Sequence, residues 1–192
     1  MTPARRLRTA VVLACLVSSA QSLAGSGPPD VGDATLRDAR GQVTSVTALA
    51  RAHKLTVVIF YAAGCPCFAA HVDRLRQLAT ELGPRGVGFV VVDSERHVPG
   101  EASPPAEIAP GLPLLRDESG DLARRLGARY ATESYVLDPA GRVRYQGGVD
   151  SDRKYLRPDA QPFLRQALLK LLSGDAPAFA TSKALGCALR LL

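Results

Sequence analysis

From Leu55 to Tyr61 the chain is an unbroken run of mainly β-branched and aromatic residues, which predicts a strand buried on both faces. After Ala62, Ala63 and Gly64 comes Cys65-Pro66-Cys67, and there the period changes. Phe68, Val72, Leu75, Ala79 and Leu82 recur at spacings of four, three, four and three. That spacing predicts an amphipathic helix beginning at Cys67 and stopped by Gly83-Pro84. Positions 86–92 form another apolar run and predict a second buried strand. Strand, helix and strand with short links predict a parallel βαβ unit.

The flanks follow the same logic with shorter elements. Two short strands are predicted around an Arg40-Gly41 turn, followed by a helical turn over 47–54 that leads into the Leu55 strand. Five prolines and two glycines between Asp93 and Pro113 exclude a long helix there, so that stretch is predicted to be an irregular surface excursion. A short strand over Leu112–Arg116 and a helix over 118–127, stopped by Gly127, come next. Ser134–Leu137 and 143–146 are predicted to pair as a hairpin around Pro139-Ala140-Gly141. Positions 162–172 carry Phe163, Leu164, Leu168, Leu171 and Leu172 near one side, which predicts a last helix ended by Gly174. The fold class is α/β, a central mixed β-sheet flanked by helices, with the Cys65 corner at the carboxyl end of a strand, where open sheets bind ligands.

The amino terminus changes the compartment. Arg5, Arg6 and Arg8 precede an apolar run over 10–17 and the small-residue stretch Ser22-Leu23-Ala24, the pattern of a secretory signal cleaved after Ala24, with Ala20 also fitting. The run is too short to span a bilayer comfortably, and Cys15 lies too early in it for a lipoprotein signal. The predicted organisation is a signal peptide over 1–24, one domain over 25–175, and a tail over 176–192 carrying Cys187. The leader holds three arginines and no acid, so its removal lowers the formal net charge from +6 to +3. With no basic cluster interleaved with aromatics, nucleic acid is not expected as a partner, and the mature form has no expected membrane span. The expected location is periplasmic or secreted, an oxidising environment in which disulfides persist.

There Cys65, Cys67 and Cys187 remain, an odd number in which one thiol is free, liganded or paired with a partner. Cys65 and Cys67 sit where a strand meets a helix. Free backbone N–H groups and the helix dipole at such a corner favour a thiolate, the reactive form of cysteine. Pro66 suits a first helical turn, where its missing N–H costs nothing. His53 and His97 are expected on the surface, the latter with an option of facing the cysteines. Asp138 is expected to shape the hairpin turn.

The run Phe60-Tyr61-Ala62-Ala63-Gly64-Cys65-Pro66-Cys67 resembles the active-site corner of the thioredoxin superfamily, where F-W-A-x-W-C-x-x-C has the same place. It is most similar to secreted redoxin-like proteins, related to peroxiredoxins and AhpC/TSA, that carry C-P-C followed closely by histidine. The Val136-Leu137-Asp138-x-x-Gly141 hairpin and the Gly186-Cys187 tail extend the resemblance from about Asp30 to the end. It implies a thioredoxin-like fold with Cys65 as nucleophile. In that fold a cis-proline precedes the first hairpin strand and faces the cysteines. Here Thr132 stands in its place, beside Glu133, and both are expected at the substrate-binding side of the site.

Three chemistries compete. The first is thiol–disulfide exchange with a protein or small-molecule thiol partner and no cofactor, with Cys65 attacking and Cys67 or Cys187 resolving. Residues two apart on a regular helix point about 200° apart, so Cys65 and Cys67 can pair only if Cys65 is not yet helical. The second is peroxide reduction, for which peroxiredoxins present P-x-x-x-T-x-x-C; here those proline and threonine places hold Val58 and Ala62. The third is non-enzymatic carriage of Cu(I) by Cys65, Cys67 and His71, the last four residues beyond Cys67 on one helix face. The plainer reading of His71 is a partly buried histidine that tunes the Cys67 thiol.

Overall fold

The computed structural model describes residues 31–96 and 105–191; the leader over 1–24 and His97 lie outside them. β3 (Leu55–Tyr61) is the middle of the molecule. Its first six residues are buried, and it pairs in parallel with β4 (Val87–Asp93) and antiparallel with β7 (Ser134–Leu137). The sheet runs β2-β1-β6-β4-β3-β7-β8, with β1 at Thr35–Arg37, β2 at Val43–Ser45, β6 at Leu112–Arg116 and β8 at Val143–Gly147. β6 is parallel to β4, whereas the outer pairs are antiparallel, so the sheet is mixed as expected.

Alternation along the strands splits the core in two. Val57, Ile59, Val91, Leu114 and Val136 point to the face covered by α2 (Pro66–Leu82) and α4 (Phe163–Leu172), which contribute Phe68, Leu75, Leu78, Leu164 and Leu168. Val58, Phe60, Val90, Val92, Tyr135 and Leu137 point to the opposite face. There α1 (Val46–Arg51) and α3 (Asp121–Leu126) supply Val46, Ala50, Leu122 and Leu126. Phe60 meets Tyr135 edge-on at 5.7 Å between ring centres, a favoured aromatic geometry.

Among the described residues of the irregular excursion, proline content concealed a strand. β5 (Glu107–Ala109) pairs antiparallel with β6 through a register shift. Its place at the sheet edge is where a strand lying between prolines is tolerated. The Asp138 carboxylate accepts from the amides of Ala140 and Arg142 and from the Arg142 guanidinium, closing the hairpin turn. His53 is exposed, as expected, and lies over Gly88. Among the described residues no helix is long and apolar enough to cross a membrane.

Candidate redox site

β3 delivers the chain to the corner and α2 begins there. Cys65 is the N-cap of α2 with an extended backbone (φ −70°, ψ 112°), and its sulfur accepts from the Phe68 N–H at 3.4 Å. Sulfur here occupies the place of a capping oxygen, so an orphan helix donor faces it, a setting that favours a thiolate. Pro66 takes the first helical position. Cys67, the second residue of α2, is buried and free.

Cys65 is bridged to Cys187, 122 residues away, with their Cα atoms 6.0 Å apart. The corner at Cys65 is non-helical, the one condition under which a Cys65–Cys67 pair was open, and yet the partner is the tail cysteine. The three sulfurs all lie within 4.8 Å of one another.

The tail reaches the corner along the far end of the sheet. It first joins β8, where the Gln146 amide donates to Ala180 O and the Ser182 amide to Gln146 O, both at 3.0 Å. The Ser182 hydroxyl then bonds the Tyr145 hydroxyl at 2.7 Å and accepts from the Gly148 amide. Farther on, the Ala131 amide donates to Cys187 O at 2.8 Å and the Leu189 amide to Arg129 O at 2.9 Å. Arg190 closes the strap on the buried Glu95 carboxylate through its amide and its guanidinium, each at 3.0 Å. Gly186 lies so close to the Ala131 carbonyl oxygen that a Cβ there would overlap it, which accounts for glycine before Cys187.

Thr132 and Glu133, expected at the substrate-binding side of the site, are both buried. Thr132 is 2% exposed and Glu133 5%. Thr132 has φ 70°, a left-handed conformation that proline cannot adopt, and its amide donates to Phe60 O at 2.9 Å. Thr132 is therefore no simple replacement for a cis-proline; among the described residues no peptide bond is cis. The Glu133 carboxylate accepts from the amides of Arg129 and Tyr130, the Tyr135 hydroxyl and the Gln146 side chain. It organises the loop from inside. Burial, then the neighbouring Glu133 charge and its hydrogen bond, push the Tyr135 hydroxyl pKa up.

His71 likewise departs from the ligand set Cys65, Cys67 and His71. Its Nδ1 stands 2.7 Å from Cys67 O and its Nε2 3.1 Å from Asp150 Oδ1. Both neighbours are acceptors, so only the imidazolium satisfies both, and neither nitrogen is left to bind copper. Burial works against that charge, but the Asp150 carboxylate and the Cys67 carbonyl outweigh it, and the His71 pKa is raised. Burial would raise Asp150; the bonds from His71, the Asp152 amide and Arg74 reverse that and lower it. Asp152, in turn, bonds the Arg157 guanidinium at 3.0 Å. Asp150, Arg74 and Asp152 carry no local motif, and the sequence reading did not single them out.

The model of the AhpC/TSA family matches residues 29–146, more than half of the 192-residue chain. The chain belongs to the AhpC/TSA family. As an AhpC/TSA protein it is a thiol-dependent oxidoreductase, and the match stops before Asp150 and Cys187. No curated protein matches the chain in sequence. Among solved structures, a hypothetical protein from Sinorhizobium meliloti 1021 is 21% identical with TM-score 0.71, over 87% of this chain and 95% of that one. An uncharacterized conserved protein from Geobacillus kaustophilus is 23% identical with TM-score 0.71, over 86% and 92%. A putative thiol:disulfide interchange protein DsbE from Chlorobium tepidum is 20% identical with TM-score 0.53, over 76% and 97%. At these identities the likeness is one of fold, and the fold of this AhpC/TSA member is thioredoxin-like.

Proposed function

We propose that the protein is an exported thiol–disulfide oxidoreductase in which Cys65 is the nucleophile and Cys187 the resolving thiol. The observation that carries this reading is the bridge between the N-cap of α2 and the tail. The leader over 1–24 supports export to the periplasm or beyond, where such a bridge persists.

In the reduced protein the Cys65 thiolate attacks one sulfur of a partner disulfide, and the partner's other sulfur leaves as a thiolate. The Cys187 thiolate then attacks Cys65 Sγ, the Cys65–Cys187 bond forms, and the partner departs reduced. Two electrons pass from protein to partner; run backwards, the same steps oxidise a dithiol. Cys65 is 5% exposed while bridged, and the half-buried Cys187 beside it marks the side from which a partner approaches. The partner is a protein or a small-molecule thiol or disulfide. Peroxide is the less favoured oxidant, because Ala62 and Val58 at the places described above offer no hydroxyl to it.

Exchange with a fluorescent peptide disulfide tests the reading. Cys65→Ser is expected to abolish turnover, and Cys187→Ser to accumulate a mixed disulfide on Cys65 that mass spectrometry detects. Undiminished exchange by Cys65→Ser would sink the proposal. Hydrogen peroxide consumption that outruns exchange would hand the site to the peroxidase reading.

A further inference from the structure

Exchange between Cys65 and Cys187 uses two sulfurs, and the site holds three. Cys67 is 2% exposed, fixed in the first turn of α2, and its sulfur lies within 4.8 Å of both others. No imidazole or carboxylate among the described residues joins the cluster. We propose that the reduced protein binds one Cu(I) ion through the three thiolates of Cys65, Cys67 and Cys187.

The donor set selects the metal. Thiolates are soft ligands that favour Cu(I), whereas Mg²⁺ and Ca²⁺ take oxygen. Zn²⁺ in a closed site takes four ligands, and a fourth is missing here. Three thiolates at about 2.3 Å from a central metal stand roughly 4 Å apart, within the spread these sulfurs already have. Small movements of Cys65 and Cys187 away from their bond suffice.

The site survives reduction because the tail is not held by the disulfide alone. The pairing of Ala131 with Cys187 and of Leu189 with Arg129 positions the backbone on both sides of the Cys187 side chain. Arg190 on Glu95 and Ser182 on Gly148 anchor the strap at its two ends. The third ligand therefore stays at the corner when the bridge opens. Excess negative charge on a cuprous trithiolate is met by the Phe68 N–H and the start of the 17-residue α2. Cys187 is half-buried, which leaves a path for the ion along the tail.

The reaction balances without redox change at the metal. Two electrons and two protons from a dithiol convert the bridge into two thiols. Cu(I) then displaces three protons from three thiols. The inference rests on the exchange reading in one respect, that a dithiol reduces the native bridge. Oxidation of that bridge removes two of the three ligands, so binding and release of copper follow the thiol redox state.

The test is anaerobic titration of the reduced, desalted protein with the Cu(I)–bicinchoninate complex, followed by native mass spectrometry and X-ray absorption. Withdrawal of one Cu(I) per chain, a sulfur-only first shell, and at least a tenfold loss of affinity in Cys67→Ser and Cys187→Ser are expected. His71→Asn should leave the stoichiometry and the shell unchanged. Failure to compete with bicinchoninate, a nitrogen in the shell that disappears in His71→Asn, or undiminished affinity in Cys187→Ser overturns the proposal. Preferential retention of Zn²⁺ from an equimolar mixture overturns it as well. Alkylation of the same batch with and without glutathione disulfide separates the two readings. A bridge that cycles without copper uptake defeats only the copper site, and a bridge that resists the dithiol defeats both.

Discussion

The amide of Ala131 donates to the carbonyl of Cys187 at 2.8 Å, so the cysteine that closes the site is set there by backbone pairing as well as by its own sulfur. The loop before β7, rather than any side chain on it, is what receives the tail. From this arrangement come predictions for the tail, the loop and the ionic pair beneath the corner.

Gly186→Ala introduces a Cβ that overlaps the Ala131 carbonyl. Relieving it displaces Cys187 from Ala131, at a cost of about 1–3 kcal/mol for an overpacked contact. Alkylation under denaturing conditions should find a larger free-thiol fraction at Cys65 and Cys187 than in the wild-type protein. A fully bridged variant of wild-type stability would refute the tight approach.

The Cys65–Cys187 bond spans 122 residues, a long loop for a denatured chain to close. Its removal should destabilise the fold by about 2–5 kcal/mol. Chemical denaturation of Cys187→Ser against the oxidised wild-type protein measures this. Because the tail has other anchors, the amides of Ala131 and Leu189 should keep hydrogen-exchange protection in the variant.

Thr132→Pro removes the amide that bonds Phe60 O and demands a negative φ where the chain has 70°. The expected loss is about 3 kcal/mol. Thr132→Gly, free to adopt that conformation, should be neutral or stabilising by up to about 1 kcal/mol, because a left-handed non-glycine residue carries a cost of that order. Thermal unfolding of the two variants should place them on opposite sides of, or level with and below, the wild type.

His71 and Asp150 make stability depend on pH from two sides. The His71 pKa is raised from 6.5, so its contribution is complete below that value and fades as pH rises through the folded-state pKa. The Asp150 pKa is lowered from 3.8, so its contribution is complete above that value and fades as pH falls through the folded-state pKa. The pair is therefore worth most between those two ordinary values. Asp150→Asn should cost about 3–5 kcal/mol there, the cost of breaking a buried pair by removing one partner. The gap in melting temperature between Asp150→Asn and wild type should narrow as pH is raised toward 9. A gap constant from pH 5 to 9 would remove the imidazolium from the account.

Much of the architecture was legible because its causes are local. Apolar alternation and a 3.6-residue period are written in neighbouring positions, so β3, β6 and the hairpin strand β7 fall where the pattern puts them, and α2 begins within one residue of the prediction. β5 escaped because its pairing with β6, not its own composition, makes it a strand. At the corner the sequence alone determined that a thiol would stand where a buried strand meets the start of a helix. Only the tertiary structure decided between Cys67 and Cys187 as partner, since the choice depends on where a tail more than a hundred residues away is laid down. It likewise turned Thr132 and Glu133 inward and gave His71 an acceptor 79 residues distant in Asp150. Such pairings are set by the whole sheet bringing distant segments to one edge, and no short-range pattern carries that information.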